Sequence, residues 1–388
     1  MKKLLLYLGL IVSCVTFVQC DDWTDPEVES GLSKEDFMEQ DTKKVEAYYA
    51  ALRDYKKSDH SVCFGWYASW QPTATTSISG TAYMSSLPDS MDIVSLWESG
   101  WSTAFWLDMN DMKRKDLDYA RKNKGLKVVY CHMLGDIGAE ITPQYVQSAS
   151  VEEPAVINGV EYTSPATANA AFWGYDGGTS EDWEAACRKF AQAFTDSIIK
   201  YDYDGIDLDY EPNYGHTGNL ASYPQRMHWF LDELSKAFGP VSGSERLLIV
   251  DGEPQTLNAE SGPLLDYYII QAYNCSGDAN LDSRFSGLVN KFGQVEDVET
   301  IARKTIWTEN FEDVSLRAGG ANFTKRDGTR TKSLRGMAEW RPRDYPDVRI
   351  GGVGAFKFAL SYNMHSTPYF YMREAIQAMN PAGIENQH

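Results

Sequence analysis

Short apolar runs closed by turn residues recur along this chain, at 63–66, 93–97, 126–130, 205–208, 247–250, 267–272, 305–307 and 352–360. Each has the length of a buried strand and is too short for a helix. Between several of them the apolar residues return at helical spacing. Trp183, Ala186, Phe190, Ala193, Phe194 and Ile198 share one face of a segment 183–200, and Met227, Phe230, Leu231 and Leu234 share a face of 224–238. Strands that alternate with helices imply parallel βαβ units, and eight such strands imply a closed (β/α)8 TIM barrel, an α/β fold in a single domain. A doubly wound sheet would carry a glycine-rich phosphate loop after its first strand. Gly351-Gly352-Val353-Gly354 lacks that spacing and lies at the wrong end of the chain.

The spacing is uneven in two places. Between Val250 and Tyr267, Pro254, Gly262 and Pro263 resist a helix, so the helix after strand five is expected to be reduced. After the third run, 135–179 forms a long excursion with little helical pattern, at the rim where a barrel usually keeps its specificity. Ahead of the barrel, Ser33 and Asp36 have the spacing of a capping box. They open a polar helix to about residue 57, with Phe37, Val45, Tyr48, Tyr49 and Leu52 on one face.

The first residues read as an address. Lys2 and Lys3 precede an apolar run that ends at Cys20, the pattern of a signal peptide over 1–19 and too short to span a membrane. Cys20 followed by Asp21-Asp22 resembles the lipid-modified cysteine and export signal of Bacteroidota surface lipoproteins; Cys14 is a second candidate. That resemblance implies a cell-surface, outer-membrane lipoprotein anchored at Cys20, with a linker and helix over 20–58 and the barrel over 59–388. Lys and Arg number 36 against 55 Asp and Glu, a net charge of −19, which repels phosphate backbones and argues against a nucleic-acid partner. Cys63, Cys131, Cys187 and Cys275 are widely spaced without a CxxC, which favours buried free thiols over disulfides or zinc.

The chemistry concentrates in Asp204-Gly205-Ile206-Asp207-Leu208-Asp209-Tyr210-Glu211. Strand side chains alternate, so Asp207, Asp209 and Glu211 share one face, about 6–7 Å apart. Inside a barrel their burial and mutual repulsion raise their pKa values, so they cannot all be charged at neutral pH. A fold gains nothing from this, but a general acid at Glu211, nearest the mouth, does. A calcium loop counted from Asp207 fails because Pro212 occupies its glycine position. His132 and His216 stand alone in the sequence and read as structural.

Asp204-Gly205-x-Asp207-x-Asp209-x-Glu211 resembles the DGxDxDxE signature of family 18 glycoside hydrolases. The resemblance implies substrate-assisted retaining hydrolysis after a β-linked N-acetylglucosamine, with no cofactor and no metal. It implies that Glu211 protonates the glycosidic oxygen and then activates water. Asp209 would orient the 2-acetamido group, Asp207 would tune Asp209, and Asp204, out of phase, would support the strand. Gln271-Ala272-Tyr273 on the sixth strand is similar to the Gln-x-Tyr of the family's endo-β-N-acetylglucosaminidases, where chitinases more often carry Met-x-Tyr-Asp. Too few residues lie between Trp307 and Gly352 for the extra subdomain of processive chitinases. The expected substrate is therefore the core GlcNAc-β1,4-GlcNAc bond of N-linked glycans, with chitin and non-catalytic glycan binding as alternatives. Candidate substrate contacts at the strand ends are Tyr67, Trp70, Trp97, Glu98, Asp136, Glu253, Asn274, Glu309, Asn310, Tyr362 and Asn363.

Overall fold

The computed structural model describes residues 43–73, 80–97 and 110–381. Eight parallel strands close into a barrel: β1 (Val62–Tyr67), β2 (Ile93–Leu96), β3 (Lys127–Met133), β4 (Gly205–Tyr210), β5 (Leu247–Gly252), β6 (Tyr267–Gln271), β7 (Thr305–Asn310) and β8 (Gly352–Phe356). Each strand pairs with its sequence neighbours, and β8 closes on β1. Each of the eight expected runs holds a strand, but the last ends at Phe356 and passes into a 3-10 turn, Phe358–Ser361.

The alternation of side chains divides the core in two. Val62, Phe64, Trp66, Ile93, Val129, Cys131, Ile249, Ile269 and Ile306 fill the barrel. Cys63, Tyr67, Ile206, Leu208 and Tyr210 point outward against the helices. Helix Ser180–Lys200 starts at a capping box in which Thr179 and Asp182 satisfy each other's backbone N–H. It packs on helix Pro224–Leu234 through Phe190 and Phe230, whose ring centroids lie 5.4 Å apart.

Between β5 and β6 the chain makes only the 3-10 turns Pro254–Thr256 and Ala259–Leu264, as the proline positions predict. The excursion after β3 is more ordered than its pattern suggests. It holds a hairpin of Ala155–Ile157 and Val160–Tyr162 and a helix, Pro165–Trp173, that share a small core of Val146, Ala149, Ala155, Ile157 and Ala168. That helix is Ala-rich and has no apolar stripe; its signals are only Ser164 capping Thr167 N–H, Pro165 in the first turn, and left-handed Gly174 at its end.

The helix Lys43–Lys57 lies against the barrel at the N-terminal ends of β2 and β3. Leu52 is fully buried, the Tyr49 hydroxyl meets that of Tyr119 at 2.8 Å, and the Tyr48 hydroxyl donates to Asp89 at 2.7 Å. The expected start of this helix at Ser33, with Phe37, lies outside the described residues, as do the expected signal peptide, Cys20 and Glu98. Cys63, Cys131, Cys187 and Cys275 are free and buried.

Gly205, the glycine of the acidic motif, is required by its strand. Its φ is +147°, and a Cβ there would lie 2.2 Å from the Leu247 carbonyl oxygen, inside the β4–β5 ladder. Asp204 beside it accepts from Val128 N–H at 2.8 Å and from Arg121 at 2.7 Å, tying β4 to β3 and its helix. Gly205→Ala is expected to cost about 2–4 kcal/mol of stability. Thermal denaturation checks this, and an unchanged Tm would show that the strand can move aside.

Candidate active site

Register decides which acids meet. On β4, Asp207 pairs with Cys131 of β3 and Ile249 of β5, and Asp209 pairs with Met133 and Asp251. Asp251 was not anticipated from the sequence because β5 runs beyond the apolar stretch that ends at Val250. It stands beside Asp209 on the inner face. The Asp207, Asp209 and Asp251 carboxyls are buried and in hydrogen-bonding contact through Asp251. Asp207 also accepts from Ser95 Oγ at 2.6 Å and Trp66 Nε1 at 3.0 Å, and Asp251 accepts from Gln271 Nε2 at 3.0 Å.

Burial is the largest influence on all three. It pushes Asp207 up to about 6 against the pull of its hydrogen bonds. Burial and the charges of Glu211 and Asp207 push Asp209 well above the usual carboxylate range. Asp251 rises likewise, through burial and then the charges of Asp209 and Asp207. Among the described residues no N–H donor faces Asp209 Oδ1 or Asp251 Oδ2, so contact between these carboxyls requires shared protons.

Glu211 stands above them at the mouth, between two cavities. The smaller, about 260 Å³, is walled by Trp66, Trp97, Asp209, Asp251, Asn310 and Phe356. Phe356 packs edge-on with Trp97 at 5.5 Å and lies within 6.5 Å of the Tyr273 ring, which gives this cavity an aromatic wall. The larger, about 440 Å³, opens toward Tyr214, Glu253, Gln255 and Arg284. Glu211, Gln271 and Tyr273 border both. Burial and then the nearby Asp251, Asp209 and Glu211 charges keep the Tyr273 phenol far above its ordinary range, hence a hydrogen-bond donor.

The structure therefore brings together Asp207, Asp209, Glu211, Gln271, Tyr273, Trp97 and Asn310. It corrects most of the other rim residues. Tyr67 faces out of the barrel, stacking toward Phe358 at 5.6 Å and donating to the Thr81 carbonyl, because the alternation of β1 turns Trp66 inward. Trp70 is buried and donates to Asp116 at 2.7 Å. Asp136 accepts from Asn219 N–H at 2.6 Å and does not line either cavity. Glu253 borders the larger cavity, but both its oxygens are taken by Asn213. Asn274 takes a left-handed turn (φ +55°) and donates its N–H to Glu309 at 2.7 Å. Glu309 is fully buried and also accepts from Asn310 N–H and the Ser333 hydroxyl, so it ties loops together out of reach of a sugar. Tyr362 packs on Tyr369 at 5.1 Å, and neither it nor exposed Asn363 lines the cavities. His132 is buried against Phe194. His216, read from the sequence as structural, lines the smaller cavity, as do Glu312 and Phe356, which nothing in the sequence marked out.

Residues 24–378 match the family described as glycoside hydrolase family 18, BT1044-like. The chain belongs to this family. It is a glycoside hydrolase. Endo-β-N-acetylglucosaminidase F2 of Elizabethkingia meningoseptica is 26% identical over 274 residues, which cover 69% of this chain and 67% of that protein. Among solved structures, a selenomethionine Glu-to-Gln variant of BT1044 is 28% identical and superposes with a TM-score of 0.69, covering 92% of this chain and 97% of its own. The endo-β-N-acetylglucosaminidase of Cordyceps militaris shares the fold at 20% identity and a TM-score of 0.52, over 88% of this chain and 97% of its own.

In this family 18 barrel the shared protons have a consequence for stability. A buried carboxyl whose pKa is raised keeps its proton in the folded chain after the unfolded chain has released it. Asp207 thus contributes fully below its ordinary value of 3.8 and progressively less as pH rises to about 6. Asp251→Asn preserves an acceptor for Gln271 and a donor toward the other carboxyls while removing one titrating group. The expected result is a Tm at pH 7 equal to or above that of the unaltered chain, with a shallower decline between about pH 4 and pH 7. A lower Tm at pH 7 with a steeper decline would show that Asp251 does not hold a proton.

Proposed function

We propose that the chain is an endo-β-N-acetylglucosaminidase that cleaves the core GlcNAc-β1,4-GlcNAc bond of N-linked glycans by substrate-assisted retaining hydrolysis. The observation that carries this reading is the wall of Glu211, Gln271 and Tyr273 between two cavities, with Asp209 and Asp251 beneath it. The sugar that keeps the broken bond's anomeric carbon fits the smaller cavity, where the aromatic face of Phe356 suits the apolar side of a pyranose. Its 2-acetamido group then lies over Asp209 and Tyr273. Tyr273 donates to the amide oxygen and holds it toward the anomeric carbon. Asp209 accepts from the amide N–H and balances the positive charge that develops as the oxazolinium forms. With its proton lodged on Asp251, Asp209 is free to take the negative charge at that moment. Glu211 gives its proton to the departing oxygen and then takes one from the attacking water, so both steps use one carboxyl.

The departing sugar occupies the larger cavity. Its polar lining by Gln255 and Arg284, and its width where no fifth helix stands, suit a sugar that still carries an asparagine and its polypeptide. The sequence relative named an endo-β-N-acetylglucosaminidase supports the same reading. The basic start, apolar run and Cys20-Asp21-Asp22 of the N-terminus support a place at the cell surface, held by lipid at Cys20.

Mass spectrometry of glycans released from a panel of N-glycoproteins tests the proposal. The unaltered chain is expected to release glycans ending in a single N-acetylglucosamine, and Glu211→Gln is expected to lower kcat by about 10²–10⁴. Cleavage of chito-oligosaccharides with no release from glycoproteins would replace the N-glycan reading with a chitinase. Binding of glycans without cleavage of either substrate would overturn catalysis.

A further inference from the structure

With Glu211 as general acid, the reading on which this inference rests, its proton must sit on one particular oxygen, the one facing the scissile bond. The loop that leaves β4 bears on this choice. It starts at Glu211, turns at Gly215 (φ +107°) and rejoins a helix at Pro224. Both of its arms are fastened to the rim. On one side Asn213 donates its backbone and side-chain N–H groups to Glu253 at 2.9 and 3.1 Å. On the other, Asn219 donates its N–H to Asp136 and accepts from Ile137 N–H at 2.8 Å, while Leu220 and Ala221 both donate to the Gly135 carbonyl at 3.1 and 3.0 Å. Gly218 is pressed so closely on Gly135 that a Cβ would lie 2.3 Å from its carbonyl oxygen.

This fastened loop carries His216 into the site. Its Nε2 stands 3.7 Å from Glu211 Oε2. Among the described residues it is the one basic side chain lining the smaller cavity. The side chain is 21% exposed, so the pair is partly withdrawn from water, where a hydrogen bond to a carboxyl is worth more than at the surface. The separation is beyond hydrogen-bond range in the free chain, and contacts at catalytic carboxyls often close only when substrate arrives.

We propose that His216 is a positioning residue for the general acid, donating Nε2–H to Glu211 Oε2 and so placing the acid's proton on Oε1. An oxygen that accepts from a fixed donor is a poor place for a proton; the remaining oxygen, turned toward the leaving group, carries it. In the first step the Oε1 proton passes to the glycosidic oxygen as the bond from that oxygen to the anomeric carbon breaks and the acetamido oxygen bonds to the carbon. The electron pair left on Glu211 is spread over a carboxylate whose Oε2 keeps its bond to His216. In the second step Oε1 takes a proton from the water whose oxygen attacks the anomeric carbon, and the bond from that carbon to the acetamido oxygen breaks as the oxazolinium opens to the acetamide. Glu253 and Asp136 serve this scheme by holding the loop.

The test compares His216→Ala and His216→Gln on two substrates with the same donor sugars: the natural one, with a sugar leaving group, and an aryl glycoside whose nitrophenol leaves with little protonation. His216→Ala is expected to lower kcat about 10- to 100-fold on the natural substrate with KM within about twofold, and less than about threefold on the aryl glycoside. Gln places an N–H at a similar reach, so His216→Gln is expected to recover most of the lost kcat on the natural substrate. Equal losses on both substrates, a change in KM alone, or a Gln variant as impaired as the Ala variant would each overturn the assignment. A chain that spares N-glycans but cuts chito-oligosaccharides refutes the N-glycan reading, and the same pair of leaving groups on a chitobiose donor then decides on His216. A chain inactive on both overturns the two readings together.

Discussion

Three acids side by side in a barrel core have a high electrostatic cost, and much of the site is shaped by how that cost is met. Asp207, Asp209 and Asp251 are buried with few donors among them: Ser95 and Trp66 serve one oxygen of Asp207, and Gln271 serves one of Asp251. The remaining contacts are between carboxyls and hold only while protons are retained. A protonated core beneath Glu211 keeps negative charge from accumulating at the bottom of the site. The backbone fixes this arrangement: register pairs Asp209 with Asp251, and Gly205 lets β4 enter the sheet at the required height.

The second constraint is a missing helix. An ordinary βα unit would set a helix after β5, but Pro254 and Pro263 leave only two short turns there. The space becomes part of the larger cavity, so Glu211, Gln271 and Tyr273 form a partition with room on either side. A bond in the middle of a branched oligosaccharide can lie across such a partition, whereas a pocket closed on one side would admit only a chain end.

Much of this was legible in the amino-acid sequence, for physical reasons. Strands buried on both faces read as continuous apolar runs, so all eight were visible, and the two-residue spacing of the acidic ladder announced a shared face. The losses occurred where an apolar run does not show its own phase or end. β1 is buried at every position, so nothing in its composition says that Trp66 rather than Tyr67 enters the barrel. β5 continues past Val250 into Asp251-Gly252, where hydrophobicity stops but the ladder does not. Glu309 lies at a strand end as a ligand-binding acid would, yet its oxygens are used by Asn274, Asn310 and Ser333, a role fixed by loops distant in sequence. His216 has no neighbouring motif because its importance arises from a loop folded against β3 and β5.

The position of the first described helix has a directional consequence. Tyr48, Tyr49 and Leu52 seat it where β2 and β3 begin, whereas Glu211 stands where β4 ends. The described chain therefore enters the barrel from beneath, as a stem enters a cup. The mouth that carries Glu211 opens on the opposite side, so a large substrate can approach it without passing the helix by which the described chain enters the barrel.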